Sequence, residues 1–171
     1  MENTFVKIKD IPGESQVDQP SLKDTIPVKS LEWGVERTVD LADLGTAQRG
    51  YANSQFQKVK LTSDMNKASM KLAQAVSNGT ALGTVEIYMC RSGADEKLAM
   101  EVYLTFKLYD CVIDGYDMSG GEESVPSENW TLAYRAIEIE YKPSVFTGGK
   151  DSGKLGKAVP FSWDLVKGKP K

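Results

Sequence analysis

Few residues in this chain have a wide chemical range, and their spacing narrows what they can do. Histidine is absent from all 171 positions. That removes His-dependent general acid–base chemistry, Ser-His and Cys-His nucleophile pairs, and the commonest zinc and iron ligand sets. Cys90 and Cys111 stand in apolar stretches without Cys-x-x-Cys spacing. Two thiolates with no imidazole cannot close a tetrahedral site, so both read as buried free thiols and no metal or cofactor is expected. One pair of carboxylates remains: Glu138 and Glu140 share a face of an alternating run. On a strand they lie about 6.6 Å apart, near the separation an inverting glycosidase needs, although such pairs ordinarily face each other across a cleft. A solvated strand face accounts for them more simply. Trp33, Trp130 and Trp163 are the residues a carbohydrate-binding β-sandwich would stack on a sugar ring. All three fall on apolar strand faces, where core packing accounts for them. No residue is assigned a catalytic role, and the chain reads as a non-enzyme.

The composition, 40% hydrophobic and 26% charged, is that of one soluble globular domain over residues 1–171, and excludes disordered, collagenous and membrane classes. At this length folding buries about 70% of the surface the unfolded chain exposes, enough for a core without a disulfide or metal. The formal net charge of -3 argues against nucleic-acid binding through phosphate neutralisation. From Lys142 onward seven lysines face only Asp151 and Asp164, a surplus of +5 that leaves -8 in the preceding part. That asymmetry suits a solvated basic tail or complementary patches that guide subunits together. Met1 to Asp10 carries four charged residues and no apolar core, so no cleavable export signal is expected and synthesis is cytoplasmic. No run of 18 apolar residues occurs, so no helical membrane insertion is expected.

The elements that must position these residues have period two. In Leu98 to Tyr109 the even positions Leu98, Met100, Val102, Leu104, Phe106 and Leu108 form an apolar face. Val159, Phe161, Trp163 and Leu165 form another, and Pro160 between them marks an edge strand because proline donates no ladder hydrogen bond. Leu31, Trp33 and Val35 predict one strand, and Val85, Ile87 and Met89 another. Trp130, Leu132 and Tyr134 occupy even positions but Ile137, Ile139 and Tyr141 odd ones; this phase slip fits a β-bulge or a strand covered on both faces. Arg91-Ser92-Gly93-Ala94-Asp95 reads as a hairpin loop, and Gly120-Gly121 and Gly148-Gly149 punctuate longer connections. One short helix spans Met70 to Asn78, with Ser69 as its cap and Gly79 as its left-handed stop. Strands with one apolar face must close or double their sheet. The fold class is mainly β, a barrel or tight sandwich, with one short α-helix (69–79) and an extended loop. That loop, Thr38 to Asn53, fits neither period and has the length of a functional arm or mobile connection.

In this order the residues resemble the haemolysin-coregulated proteins, the Hcp family, which form the tube of type VI secretion systems. The resemblance rests on an ordered set of segments, the first of them Phe5-Val6-Lys7-Ile8, Gly13-Glu14-Ser15 and Leu31-Glu32-Trp33-Gly34. After a loop follow Asp64-Met65-Asn66-Lys67-Ala68-Ser69 with Lys71-Leu72, then Glu128-Asn129, then Ile137-Glu138-Ile139-Glu140-Tyr141-Lys142-Pro143, and last Trp163-Asp164-Leu165. It implies a compact β-barrel of two packed antiparallel sheets with one helix, a hexameric ring, rings stacked into a hollow tube driven by a contractile sheath, and no catalysis. It also implies a spike partner, small effectors carried or chaperoned in the lumen, and secretion to the medium or a target cell without a signal peptide. A phage-like tail-tube subunit shares the architecture, and physics alone does not separate the two.

A compact chain of this length has a radius of gyration of about 15–16 Å, hence a diameter of about 40 Å. Six equal discs in a ring enclose a hole as wide as one disc, so a lumen near 40 Å is expected. The resemblance places the loop of Thr38 to Asn53 against the adjacent ring. Where many members are glycine-rich, this chain has Leu41, Ala42, Asp43 and Leu44, and Leu41, Asp43 and Leu44 are the candidate stacking residues. Where members often have Trp-Ser-Trp-Gly, Glu32 puts a charge on the face expected to line the lumen. Met70 stands where a proline commonly follows the capping serine, which removes a preset φ but leaves the cap.

Overall fold

A computed structural model describes residues 3–19, 21–38, 53–93, 100–122, 124–146 and 152–171. The described chain forms β1 (Thr4–Ile8), β2 (Ile26–Val28), β3 (Ser30–Glu32), β4 (Val35–Arg37), β5 (Ser54–Phe56) and β6 (Val59–Asp64). Then come α1 (Ser69–Asn78), β7 (Ala81–Ser92), β8 (Met100–Ser119), β9 (Ser127–Ala133), β10 (Ala136–Tyr141) and β11 (Val159–Asp164). All pairings of named strands are antiparallel. The larger sheet runs β2-β1-β7-β8-β9-β6-β3, with β10 on β8 and β11 on β10; β4 and β5 form the second sheet.

The expected mainly β fold of two antiparallel sheets and one helix is what forms. The two ends of the larger sheet, β2 and β3, are consecutive in sequence, separated by Lys29, whose N–H donates to the Thr62 carbonyl at 2.7 Å. The sheet is therefore not closed by a ladder. The chain itself spans the gap, with one half of residues 26–32 pairing to β1 and the other to β6. Inside lie Val6, Ile26, Leu61, Leu72, Val85, Ile87, Leu108, Ile113, Trp130, Leu132 and Ile137, all essentially without solvent exposure.

The phase slip between Tyr134 and Ile137 is a strand break. β9 pairs with the second half of β8 and β10 with the first. Between them Arg135 donates its N–H to Tyr109 at 2.9 Å and its guanidinium pairs with Asp110 at 3.0 Å. Asp110 has φ 51, so β8 bends there and its buried phase passes from Phe106 and Leu108 to Cys111 and Ile113. β8 thus extends through this bend to Ser119, ten residues beyond the strand that alternation predicts. A bend in both partners keeps one face inward across 20 residues.

Local expectations change at four further places. Leu31 to Val35 is not one strand: Trp33 and Gly34 separate β3 from β4, and the β3–β6 pair continues as the β4–β5 ribbon. In β7 the register shifts between Met89 and Cys90, so Cys90 turns inward against Phe5, Leu22 and Met100. Ser69 is the first helical residue and does not cap; its Oγ accepts from Asn66 N at 2.9 Å, while Asn66 Oδ1 accepts from Ala68 N at 2.9 Å. Gly79 ends the helix at φ 63. Finally, β11 is the edge strand that Pro160 predicts, yet Val159 is 59% and Phe161 40% exposed: among the described residues β11 pairs with β10 and no strand lies beyond it.

Candidate assembly surfaces

Glu32 is exposed on β3, and the strands beside it assemble a polar face. Register aligns Ser30, Thr62, Asn129 and Asp117 in one row, and Glu32, Lys60, Thr131 and Gly115 in the next. Side chains on this face satisfy one another. Thr62 Oγ1 donates to Asn129 Oδ1 at 2.8 Å, Thr131 Oγ1 donates to Asp114 Oδ1 at 2.6 Å, and Lys58 pairs with Asp114. Asp114 titrates below the usual carboxylate range, because the bonds and charge from Lys58 and Thr131 outweigh its burial. At Gly115 a Cβ would meet Thr131 Oγ1 at 2.8 Å, so glycine lets β8 approach β9 here. The rows border a concavity of about 350 Å³. The opposite side of the same strands carries Leu61, Trp130 and Leu132 into the core.

Leu41, Asp43 and Leu44 lie outside the described residues. The base of their loop is defined: Arg37 pairs with Ser54 at the end of the β4–β5 ribbon, so the two ends of the loop meet. The ribbon is held by aromatic packing. Trp33 lies 6.1 Å from Phe106 and 6.1 Å from Phe161, and Phe56 stacks on Trp163 at 6.0 Å. Trp33 Nε1 donates to Tyr134 Oη at 2.7 Å, and that hydroxyl donates to the Gln57 carbonyl at 2.8 Å. Trp130 is fully buried and donates to Ser63 Oγ at 3.1 Å. Trp130 is thus a core residue, and Trp33 and Trp163 are half-buried and packed on neighbouring aromatic rings.

Glu138 and Glu140 do share a face of β10. Glu138 Oε1 accepts from Lys171 Nζ and Oε2 from Tyr109 Oη, each at 2.8 Å, while Glu140 pairs with Lys142 at 3.6 Å. The Lys171 hydrogen bond, aided by Tyr109, holds Glu138 below the ordinary carboxylate range. A glycosidase's general acid needs the opposite shift. Burial pushes the Cys90 thiol up to about 11 and the Cys111 thiol up to about 12, so neither is a ready nucleophile, and both are free. Among the described residues no three His, Cys, Asp or Glu side chains come together as a metal site.

Glu128 is a polar centre that alternation alone did not single out. Fully buried, it accepts from Ser63 Oγ at 2.8 Å, Tyr116 Oη at 2.7 Å and Asn66 Nδ2 at 3.4 Å. Burial first, then the bond to Glu128, pushes Tyr116 up to about 12. The signal was present in phase: Glu128 shares the even positions of Trp130 and Leu132, which places it on the buried face.

Residues 5–141 match the family described as "Type VI secretion system effector, Hcp". Protein hcp1 of Pseudomonas aeruginosa is 25% identical over 163 residues, covering 94% of this chain and 93% of that protein. A solved type six secretion system protein superposes with a TM-score of 0.85 at 25% identity, with both chains fully covered. Hcp1 from Salmonella typhimurium shares the fold at a TM-score of 0.73 and 18% identity over the full length of both chains. A family match of that extent, on a mainly β fold that superposes along the whole chain, makes this chain a member of the Hcp family of type VI secretion system proteins.

Proposed function

We propose that this chain is a tube subunit that works by shape and catalyses no reaction. Six copies close a head-to-tail ring. The polar face of β3, β6, β9 and the second half of β8, with Glu32 on it, lines the bore. The loop of residues 38–53, through Leu41, Asp43 and Leu44, reaches the next ring, and rings stack into a hollow tube. The single observation that carries this reading is the two-sidedness of those four strands: one side is packed into the core, the other is continuous polar surface with its own hydrogen bonds. Such a surface gives a hydrated wall along which a folded cargo can slide. On this reading the subunit is made in the cytoplasm and exported without a signal peptide. Its partners are further copies of itself, a contractile sheath, a spike protein and small effectors, with no nucleic acid, membrane insertion or cofactor.

Native mass measurement of the purified protein tests the ring, alongside electron micrographs of the same sample. A mass of six chains with ring-shaped particles is the expected result. A monomer at tens of micromolar with no rings overturns it.

A further inference from the structure

Most of the large apolar side chains left exposed among the described residues fall in two groups, and the ring reading assigns neither. The first is a stripe along the open edge of the larger sheet. Val159, Phe161 and Leu165 alternate along one face of β11 and its continuation, and Val166, 76% exposed, follows in the turn. Only side chains are on offer there, because Pro160 has no N–H to give and Lys169 already pairs with Asp164. Three exposed lysines flank the stripe, Lys157 before it and Lys167 and Lys169 after it. Among the described residues none of the three has an ion pair. The carboxylates on β10 and β11 are engaged: Glu138 holds Lys171, Glu140 holds Lys142, and Asp164 is buried and accepts from the N–H groups of Val166 and Lys167.

The second group is Met65, Met70, Met118 and Val125. Register places it where β6 and β8 end and β9 begins: Met118 lies opposite Glu128, and Met65 donates its N–H to the Pro126 carbonyl at 2.9 Å, next to Val125. Methionine suits a contact surface, because its unbranched side chain repacks against the shape it meets. Free charge here is acidic. Asp117 and Glu122 are exposed and have no ion pair among the described residues. Lys67 stands in a hollow with Glu14, Asp18 and Asp24, which leaves Lys71 on α1 against the two carboxylates. Stripe and seat are separate surfaces. Leu165 donates its N–H to the Arg135 carbonyl, just beyond Ala133 where β9 ends, whereas Val125 stands just before Ser127 where β9 begins. The length of β9, about 20 Å, keeps them apart. One copy can therefore use both at once.

We infer that the β11 stripe of one copy packs on the methionine seat at the β8–β9 end of the next copy in the ring. Charge selects this pairing. Stripe on stripe would set Lys157, Lys167 and Lys169 against their own equivalents, whereas stripe on seat brings them to Asp117 and Glu122. A contact between two different surfaces leaves each copy with one of each to satisfy, and a closed ring satisfies both for every copy. A two-fold pair would do so as well, so the number of linked copies belongs to the test. The inference rests on the reading of the chain as a ring subunit, and it gives the basic surplus after Lys142 a place in assembly.

Variants of the full chain test it. Val166→Glu should leave the far-ultraviolet circular dichroism spectrum unchanged, since most of that side chain lies in solvent. Ring formation, followed by sedimentation, should weaken about tenfold per contact, the scale of burying one valine side chain. Lys167→Glu with Lys169→Glu should weaken it too, and adding Asp117→Lys with Glu122→Lys should restore it. Val166→Cys with Val125→Cys, treated with a flexible bis-maleimide, should give linked species of up to six chains and none larger, absent from either single variant; Cys90 and Cys111 are buried and stay out of the reaction. Wild-type sedimentation of Val166→Glu with no linked species overturns the contact while the ring reading stands. Weakening with neither recovery nor linkage keeps the stripe as a contact but overturns its seat. Linkage that stops at two chains, with a two-chain native mass, keeps the contact and overturns the ring. Linkage beyond six chains overturns the placing of the contact within one ring. A monomeric wild-type protein overturns both readings.

Discussion

Among single residues, the buried Glu128 sets the largest stake. Its carboxyl collects donors from β6, β8 and the turn before α1, so it ties three elements with one group. Glu128→Ala leaves Tyr116 and Ser63 without their acceptor in the interior. It should lower unfolding stability by about 2–4 kcal/mol, read as a shift in urea midpoint at constant slope; an unchanged midpoint would show that the cluster carries no net weight. Glu138 makes a pH prediction. Its folded pKa lies below the ordinary value of 4.5, chiefly through the Lys171 hydrogen bond, and Lys171 is raised above 10.5, chiefly through the same bond. A depressed carboxylate stabilises the fold above its unfolded pKa and loses that contribution as pH falls through the folded value. A raised amine does so below its unfolded pKa and loses it as pH rises. The pair is thus fully effective between pH 4.5 and 10.5. Urea midpoints should fall more steeply below pH 4.5 in the wild type than in Glu138→Gln; parallel curves would assign the acid loss to other carboxylates.

At the level of elements, the Gly13-Glu14-Ser15 segment shows how a close approach dictates a residue. Gly13 N donates to the Asp24 carbonyl at 2.8 Å and Ser15 N to the Thr25 carbonyl at 3.1 Å, which lays this segment flat against residues 24–25. A Cβ on residue 13 would stand 2.1 Å from the Thr25 carbonyl oxygen, a backbone atom that cannot swing aside. Gly13→Ala should therefore separate the two segments and cost about 3 kcal/mol, seen as a lower thermal midpoint with the β spectrum retained. A neutral result would mean the segments part without penalty. The strand break at Tyr134–Arg135 is a second device of this kind: opposite it, Asp110 adopts a left-handed conformation, and the two bends keep a long strand concentric with the core.

For the molecule as a whole, the arrangement of polar faces and ends matters more than any one residue. At the foot of the loop of residues 38–53 Arg37 pairs with Ser54 in the β4–β5 ribbon, apart from the larger sheet. Replacing Leu41 to Gly45 by Gly and Ser should accordingly leave the barrel folded and the ring mass unchanged while weakening ring-to-ring stacking. Micrographs showing tubes of wild-type length would remove the loop from the stacking contact. The basic surplus from Lys142 onward is placed largely beside β11, where Lys157 precedes the edge strand and Lys167, Lys169 and Lys171 follow it. Asp164 gathers the last turn by accepting from Val166 N at 3.0 Å and Lys167 N at 2.9 Å, and Lys171 crosses to Glu138. Part of that surplus is thus spent within the subunit.

Alternation, the placing of Pro160 and Gly79, and composition determined the mainly β class, the edge position of β11, the helix stop and the lack of histidine chemistry, because each is a local property of the chain. The ordered segments determined the family resemblance in the same way. What only the tertiary structure decided are quantities that depend on which strands become neighbours. Glu128 finds its donors on β6 and β8 rather than in its own strand, and the apolar face of β11 is covered at Trp163 by Phe56 but leaves Val159 exposed. Ser69 does not cap α1, whose N-cap is Ala68 without a side-chain bond, because the turn from β6 directs Ser69 Oγ to Asn66 N, and β2 and β3 diverge to two partners at Lys29. Each is settled by contacts between residues far apart in the chain, which no local period encodes.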